Sequence, residues 1–334
     1  MLKRGETRNL PERPAGTKPH GLLKKLGVLA AALFLSLIIA EVILVVFFRD
    51  KFLVFEDETS LLYRYDQTLG WCPIPDTTDR FLASRIIHVI NNSRGFRGPE
   101  PQINSKPGIL FLGDSFVWGY DVDATDRFTE KLQSKHPEWN VYNLGVSGYG
   151  TDQEYLLLQQ QFDFYKPRIV FLVFCTETDH FDNSWNARYG GYYKPYFTQD
   201  GNGLQLHGVP VPRSERVFLA AHPLVSRSCV AQLLARAWFK IACPPVMEHP
   251  DSTAALLEAM QMFITSRGSR LAVGLTEADL PVEQALRRLG IPFVELSTTL
   301  RYPEYGQHWT AAGHTYVADK IDEFLASETL LGAK

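Results

Sequence analysis

Ser115 and His308 are the two residues whose settings point most directly to chemistry. Ser115 lies in Gly113-Asp114-Ser115-Phe116, directly after the apolar run Ile109-Leu110-Phe111-Leu112. A short apolar run that ends in Gly-Asp-Ser predicts a buried strand whose last turn presents a serine hydroxyl at the sheet edge. That hydroxyl is a nucleophile only if a base takes its proton. The candidate base is His308, in Gln307-His308-Trp309-Thr310-Ala311-Ala312-Gly313-His314. Such a pair also needs an acid to orient the imidazole and donors to hold the oxyanion.

The remaining parts are sought at the ends of neighbouring strands. Asn143-Leu144-Gly145-Val146-Ser147-Gly148-Tyr149-Gly150 follows the next strand, and its glycines let a backbone N–H approach a ligand closely. The third strand ends in Glu177-Thr178-Asp179. Asp114 is read as ordering the serine turn, and His314 as packing on the last helix.

Those residues need a framework, and the hydrophobic pattern supplies one. Strands are predicted at 86–90, 109–112, 141–143, 169–174, 271–274 and 291–294. Helices are predicted at 125–136, 151–165, 254–266, 282–288 and 311–326, the last with Thr310 as N-cap. Strands alternating with helices imply an α/β fold with a mostly parallel sheet covered on both faces. Residues from about 182 to 250 interrupt this alternation. They hold a tyrosine-rich stretch, a hairpin turn at Gln199–Gly203 and a helical stretch from 216 to 243. Loops at strand ends usually shape a site, so this insertion is expected to border a substrate groove.

The 334 residues carry a net charge of −3 with 45% hydrophobic and 12% aromatic side chains, ample for a core and without the basic excess of a nucleic-acid binder. The charge is unevenly placed. Residues 1–25 hold seven basic side chains, and Leu26 to Phe48 is apolar apart from Ser36, Glu41 and small residues. As a helix, 26–48 spans roughly 34 Å, enough for a bilayer core. This predicts a basic cytoplasmic tail at 1–25, a transmembrane helix at 26–48, a connector at 49–84 and an extracytoplasmic domain at 85–330. A cleaved signal peptide should have a shorter apolar region ending at a small-residue site, which Val45-Val46-Phe47-Phe48 does not resemble. Glu41 could snorkel, hold a proton, or pair with another subunit or with the domain. Cys229 and Cys243 would lie roughly 21 Å apart on one helix, so a disulfide between them needs a helix break. The histidines show no metal-ligand spacing, no phosphate-binding loop is present, and no cofactor is expected.

The ordered blocks Gly113-Asp114-Ser115-Phe116, Asn143-Leu144-Gly145 and the terminal His308 resemble the SGNH (GDSL) hydrolase superfamily. Asn92-Ser93-Arg94-Gly95-Phe96-Arg97, Gly148-Tyr149-Gly150-Thr151-Asp152-Gln153 and His308–His314 resemble its membrane-anchored, extracytoplasmic members. The resemblance covers about residues 85–325. It implies a three-layer flavodoxin-like fold and ester chemistry, with Ser115 as nucleophile and His308 as base. The Ser115 and Gly145 N–H groups would be oxyanion donors. Two positions depart from the family pattern. Its third oxyanion donor is an asparagine, where this chain has Thr178, followed by Asp179. Its triad acid precedes the histidine by three residues, where this chain has Tyr305. Glu304 could serve as acid from a bulged loop; otherwise the site is a Ser–His dyad or borrows another carboxylate. The resemblance implies an esterase acting on an acylated envelope glycan or a small acyl ester. An O-acyltransferase using the same acyl-enzyme and a catalytically impaired envelope protein are the alternatives.

Overall fold

The computed structural model describes residues 20–52, 62–201, 203–304 and 306–328. The start of the basic tail and Tyr305 lie outside them. In chain order the elements are α1 (His20–Phe48), β1 (Tyr63–Asp66), β2 (Gly70–Pro73), β3 (Thr78–Leu82), β4 (Ile86–Ile90), β5 (Gly108–Leu112), α2 (Ser115–Trp118), α3 (Phe128–Lys135), β6 (Asn140–Asn143), α4 (Thr151–Tyr165) and β7 (Ile169–Phe174). They continue as α5 (Asp179–Ser184), β8 (Ala187–Arg188), β9 (Tyr192–Tyr193), β10 (Tyr196–Asp200), β11 (Gly203–His207), α6 (Glu215–Ala221), α7 (Pro223–Ser226), α8 (Cys229–Ala242), α9 (Thr253–Thr265), β12 (Arg270–Leu275), α10 (Leu280–Leu289), β13 (Phe293–Glu295) and α11 (Ala311–Ser327). The chain divides into two compact units. One comprises residues up to 53 with 223–234, the other 54–222 with 235–334.

The larger unit is built on a five-stranded sheet in the order β13-β12-β7-β5-β6, every pair parallel. Numbered by their own succession along the chain, these strands lie 2-1-3-4-5 across the sheet, the doubly wound flavodoxin-like order. Strict alternation divides the central strands between two cores. On β5, Leu110 and Leu112 face one side, while Ile109 and Phe111 face the other. On β7, Val170, Leu172 and Phe174 face the first side, and Ile169, Phe171 and Val173 the second. The first side packs on α4, α9 and α10 through Leu156, Leu157, Met260, Ile264 and Leu286. The second packs on α3 and α11 through Phe128, Leu132, Val317, Ile321 and Phe324. Both faces are covered, so these strands read as unbroken apolar runs. From the adjacent strands β5 and β7 the chain runs on in opposite directions, from β5 to β6 at one edge and from β7 to β12 on the other side. The loops at their carboxyl ends therefore diverge and open a crevice.

Residues 62–84, read from the sequence as connector, are structured. The β1–β2 and β3–β4 pairs are antiparallel hairpins, and the second straddles the expected boundary at 84/85. Leu62, Leu69, Trp71 and Phe81 are buried in the first core, so this segment packs as part of the domain. Within the insertion, β10 and β11 pair across the expected Gln199–Gly203 turn. The helical stretch 216–243 is three helices, α6, α7 and α8, because Pro223 lacks the N–H that would continue α6. Cys229 and Cys243, at the two ends of α8, are free thiols, as are Cys72 and Cys175.

In the smaller unit, α1 is 29 residues long and starts six residues before the expected span. From Leu23 to Phe48 its large apolar side chains are exposed, Leu44 only in part.

Candidate active site

The serine turn follows β5 without a break. Asp114 caps α2, its Oδ1 accepting from the Phe116 N–H at 2.9 Å. Ser115 is thus the first residue of a four-residue helix, and its N–H belongs to the set that a helix N-terminus leaves without an intrahelical partner. Gly119 ends α2 in the left-handed conformation, φ 82°, and turns the chain back so that Asp121 returns towards the same sheet edge.

His308 arrives from the loop before α11. Its Nε2 lies 2.8 Å from Ser115 Oγ. Its ring stacks on Tyr120, with centroids 4.5 Å apart and planes at 29°. On its other edge, Nδ1 faces Asp121 Oδ2 at 3.5 Å. That separation is longer than a formed hydrogen bond, and Nδ1 has no other partner among the described residues. Catalytic hydrogen bonds in ligand-free sites are often long and tighten when substrate binds. Asp121 is itself held from the β3–β4 hairpin: Ser84 N–H donates to Oδ1 at 2.9 Å and Ser84 Oγ to Oδ2 at 3.3 Å. Burial pushes this carboxyl up, but the nearby His308 ring and the hydrogen bonds from Ser84 more than offset it and hold it below the usual range. Two buried arginines fix the loop that carries Asp121. Arg97 donates to the carbonyls of Gly119 and Val122, each at 2.8 Å, and Arg127 to that of Trp118 at 3.2 Å. Arg97 therefore braces the backbone of this loop.

Glu304 does not reach the imidazole. It is exposed and faces Arg85, its Oε1 3.8 Å from the guanidinium. The carboxylate that faces the imidazole is that of Asp121, not that of Glu304. Gly306 brings the backbone directly past the His308 ring. A Cβ on Gly306 would sit 2.4 Å from His308 Cε1. The signal for Asp121 was present in Gly119-Tyr120-Asp121. A glycine stop soon after the serine reverses the chain and sends the next acid back to the serine's side.

Asn143 braces the second loop. Its Nδ2 donates to the Val117 carbonyl at 2.7 Å and to Thr129 Oγ1 at 2.9 Å. Its Oδ1 accepts from the Gly145 N–H at 3.0 Å, so this expected oxyanion donor is engaged locally. A Cβ at 145 would lie 2.4 Å from the Trp118 nitrogen, so the loop reaches this depth only with glycine there. Thr178 precedes α5, and its Oγ1 is buried without a hydrogen-bond partner among the described residues. Asp179 points into the interior, where its Oδ2 accepts from the Cys175 N–H at 3.1 Å. There it joins Asp114 and Glu154, all fully buried. Burial, then mutual repulsion, pushes the carboxyls of Glu154 and Asp179 well up. Burial also raises Asp114, against the opposing pull of the Phe116 N–H and His308. Asp179 is thus part of a buried carboxyl cluster behind the serine turn. Glu154 was missed in the sequence because it sits in an otherwise ordinary first helical turn. His314 packs as expected: its Nδ1 accepts from the Phe128 N–H at 3.3 Å, and burial lowers its pKa to about 3.

The serine and histidine motifs, far apart in sequence, thus meet at the open end of a doubly wound sheet. No family model matches the chain, and no curated protein matches it. Among solved structures, the esterase EstA from Pseudoalteromonas sp. is similar at 11% identity and a TM-score of 0.39, over 67% of this chain and 98% of that one. A putative lipolytic protein of the G-D-S-L family from Desulfitobacterium hafniense DCB-2 is similar at 11% identity and a TM-score of 0.37, over 66% of this chain and 100% of that one. A two-domain esterase active on acetylated mannans is similar at 12% identity and a TM-score of 0.37, over 66% of this chain and 49% of that one. The chain is similar to these proteins. What its site can do is read from its own geometry.

Proposed function

We propose that this chain is a serine ester hydrolase held at a membrane, with its catalytic unit on the extracytoplasmic side. The observation that carries the reading is the 2.8 Å contact between Ser115 Oγ and His308 Nε2, with Asp121 on the far edge of the same imidazole. In this mechanism His308 takes the Ser115 proton as Oγ attacks the ester carbonyl. Asp121 holds the ring so that Nδ1 carries its hydrogen and stabilises the imidazolium that forms. The oxyanion meets the Ser115 N–H at the start of α2. The Gly145 N–H joins it on release from Asn143, and Thr178 Oγ1, unengaged among the described residues, is suited to the third place. His308 then gives its proton to the departing alcohol. Water, activated by the same base, cleaves the acyl-serine to a carboxylic acid.

The anchor reading rests on the length and exposure of α1 and on the basic residues that precede it. Hydrogen bonds from Ser228, Cys229 and Val230 to Glu41 support its retention as part of the folded protein. That location favours an acylated envelope glycan as substrate, acetyl being the simplest group.

The test is hydrolysis of p-nitrophenyl acetate by the full chain in detergent, with a fluorophosphonate as active-site label. Label is expected on Ser115, and Ser115→Ala should lose label and turnover while its thermal unfolding stays unchanged. Equal turnover by Ser115→Ala would overturn the proposal. Acyl transfer to added sugar in preference to water would replace hydrolase by transferase.

A further inference from the structure

Within the smaller unit, the Glu41 carboxylate of α1 accepts three hydrogen bonds. They come from Ser228 Oγ at 2.8 Å, the Cys229 N–H at 2.8 Å and the Val230 N–H at 2.9 Å. The two N–H groups open α8 and would otherwise lack partners. Ser228 Oγ also accepts from the Ala231 N–H at 3.1 Å, as an N-cap does. Glu41 therefore supplies an anionic cap, reaching from the apolar helix to the positive end of another. This accounts for an acidic residue in a long apolar span, because a carboxylate there is tolerated when its oxygens are satisfied.

The clasp also fixes a depth. Glu41 lies seven residues before Phe48, about 10 Å along the helix from its outer end. The beginning of α8 must lie at the same level as Glu41. From there α8 carries a stripe of exposed large apolar side chains, Leu234, Trp238 and Ile241, the last 86% exposed. Leu224 on α7 is 82% exposed. The spacing 234, 238, 241 places three of them on one helical face. Arg227, Arg236 and Lys240 lie off that stripe and are exposed. A tryptophan-bearing apolar face flanked by basic side chains is the pattern of a helix lying in a membrane interface.

We infer that residues 223–242 form a second membrane-embedded element, an interfacial helix whose apolar stripe contacts lipid and whose depth is set by Glu41. The inference rests on α1 being a membrane anchor, and the experiment separates the two. The full chain is reconstituted in phosphatidylcholine vesicles, with or without bromine midway along the acyl chains, which quenches nearby tryptophan. Of the six tryptophans, Trp71, Trp118 and Trp309 are fully buried in the larger unit. A quenched component is expected in the native chain and should vanish in Trp238→Phe. In Glu41→Leu the chain should stay with the vesicles in alkaline carbonate while the Trp238 component falls by more than half. No quenching in the native chain, or equal quenching in Trp238→Phe, overturns the lipid contact even though the chain resists carbonate. Unchanged Trp238 quenching in Glu41→Leu overturns the clasp. Release of the native chain by carbonate overturns the anchor and the inference with it.

Discussion

Replacing Asp121 by Asn tests which acid serves His308. Asn keeps the size of the side chain and can still accept the Ser84 N–H, so the loop should hold. It loses the negative charge that faces the imidazolium during attack. At 3.5 Å and an effective dielectric of about 20, a unit charge pair is worth about 4.7 kcal/mol. Since each 1.36 kcal/mol is a factor of ten, kcat/KM should fall by about three orders of magnitude. The amide also turns a donor towards Nδ1, which favours the unproductive tautomer and adds to the loss. The assay is ester hydrolysis by the full chain, run beside Glu304→Gln, with thermal unfolding as the control for folding. Glu304 is exposed and turned to Arg85, so Glu304→Gln should stay within a few-fold of the native chain. A loss under tenfold in Asp121→Asn, or an equal loss in Glu304→Gln, would refute the assignment of Asp121.

Two further outcomes follow from the same geometry. Gly306 has φ +84° and an added Cβ would lie 2.4 Å from the His308 ring, so Gly306→Ala should displace the imidazole. A shift of about 1 Å costs on the order of 10²-fold in turnover, read against an unchanged fluorescence spectrum of the folded chain. His180 joins α5 to the segments before α9 and α10, its Nδ1 2.6 Å from Asp251 and its Nε2 2.9 Å from Asp279. Hydrogen bonding to Asp251, then to Asp279, raises its pKa to about 9 against the opposing effect of burial. The folded state binds this proton more tightly than the unfolded chain. The stabilisation is therefore complete below about pH 6.5 and is lost as pH rises towards 9. The melting temperature of His180→Gln should lie furthest below that of the native chain at pH 6 and converge with it near pH 9. A gap that is constant with pH would show that the histidine acts by packing alone.

Much of this molecule was legible in the sequence because its elements are locally encoded. The unbroken apolar runs of β5 and β7 announce strands buried on both faces. The α4 boundaries fall where expected, at Thr151 and Tyr165, and Thr310 caps α11 as its position predicts. The serine turn after β5 and the histidine before α11 stood out for the same reason, each lying at the end of a readable element. The partners of those residues were not encoded by spacing. Asp121 became the neighbour of His308 because a four-residue helix and a left-handed glycine turn the chain back, and because Ser84 and two buried arginines hold the returning loop. Glu304, closer in sequence, was carried outward to Arg85. The carboxyls of Asp114, Glu154 and Asp179 were brought together by strand order, which no local pattern records. Glu41 could be read as an anomaly in an apolar span, but its partners lie nearly two hundred residues away at the start of α8. Local pattern in the sequence marked most of the elements and the side chains whose types could do chemistry. Packing decided which acid meets which base, since that depends on where chain reversals place residues distant in sequence.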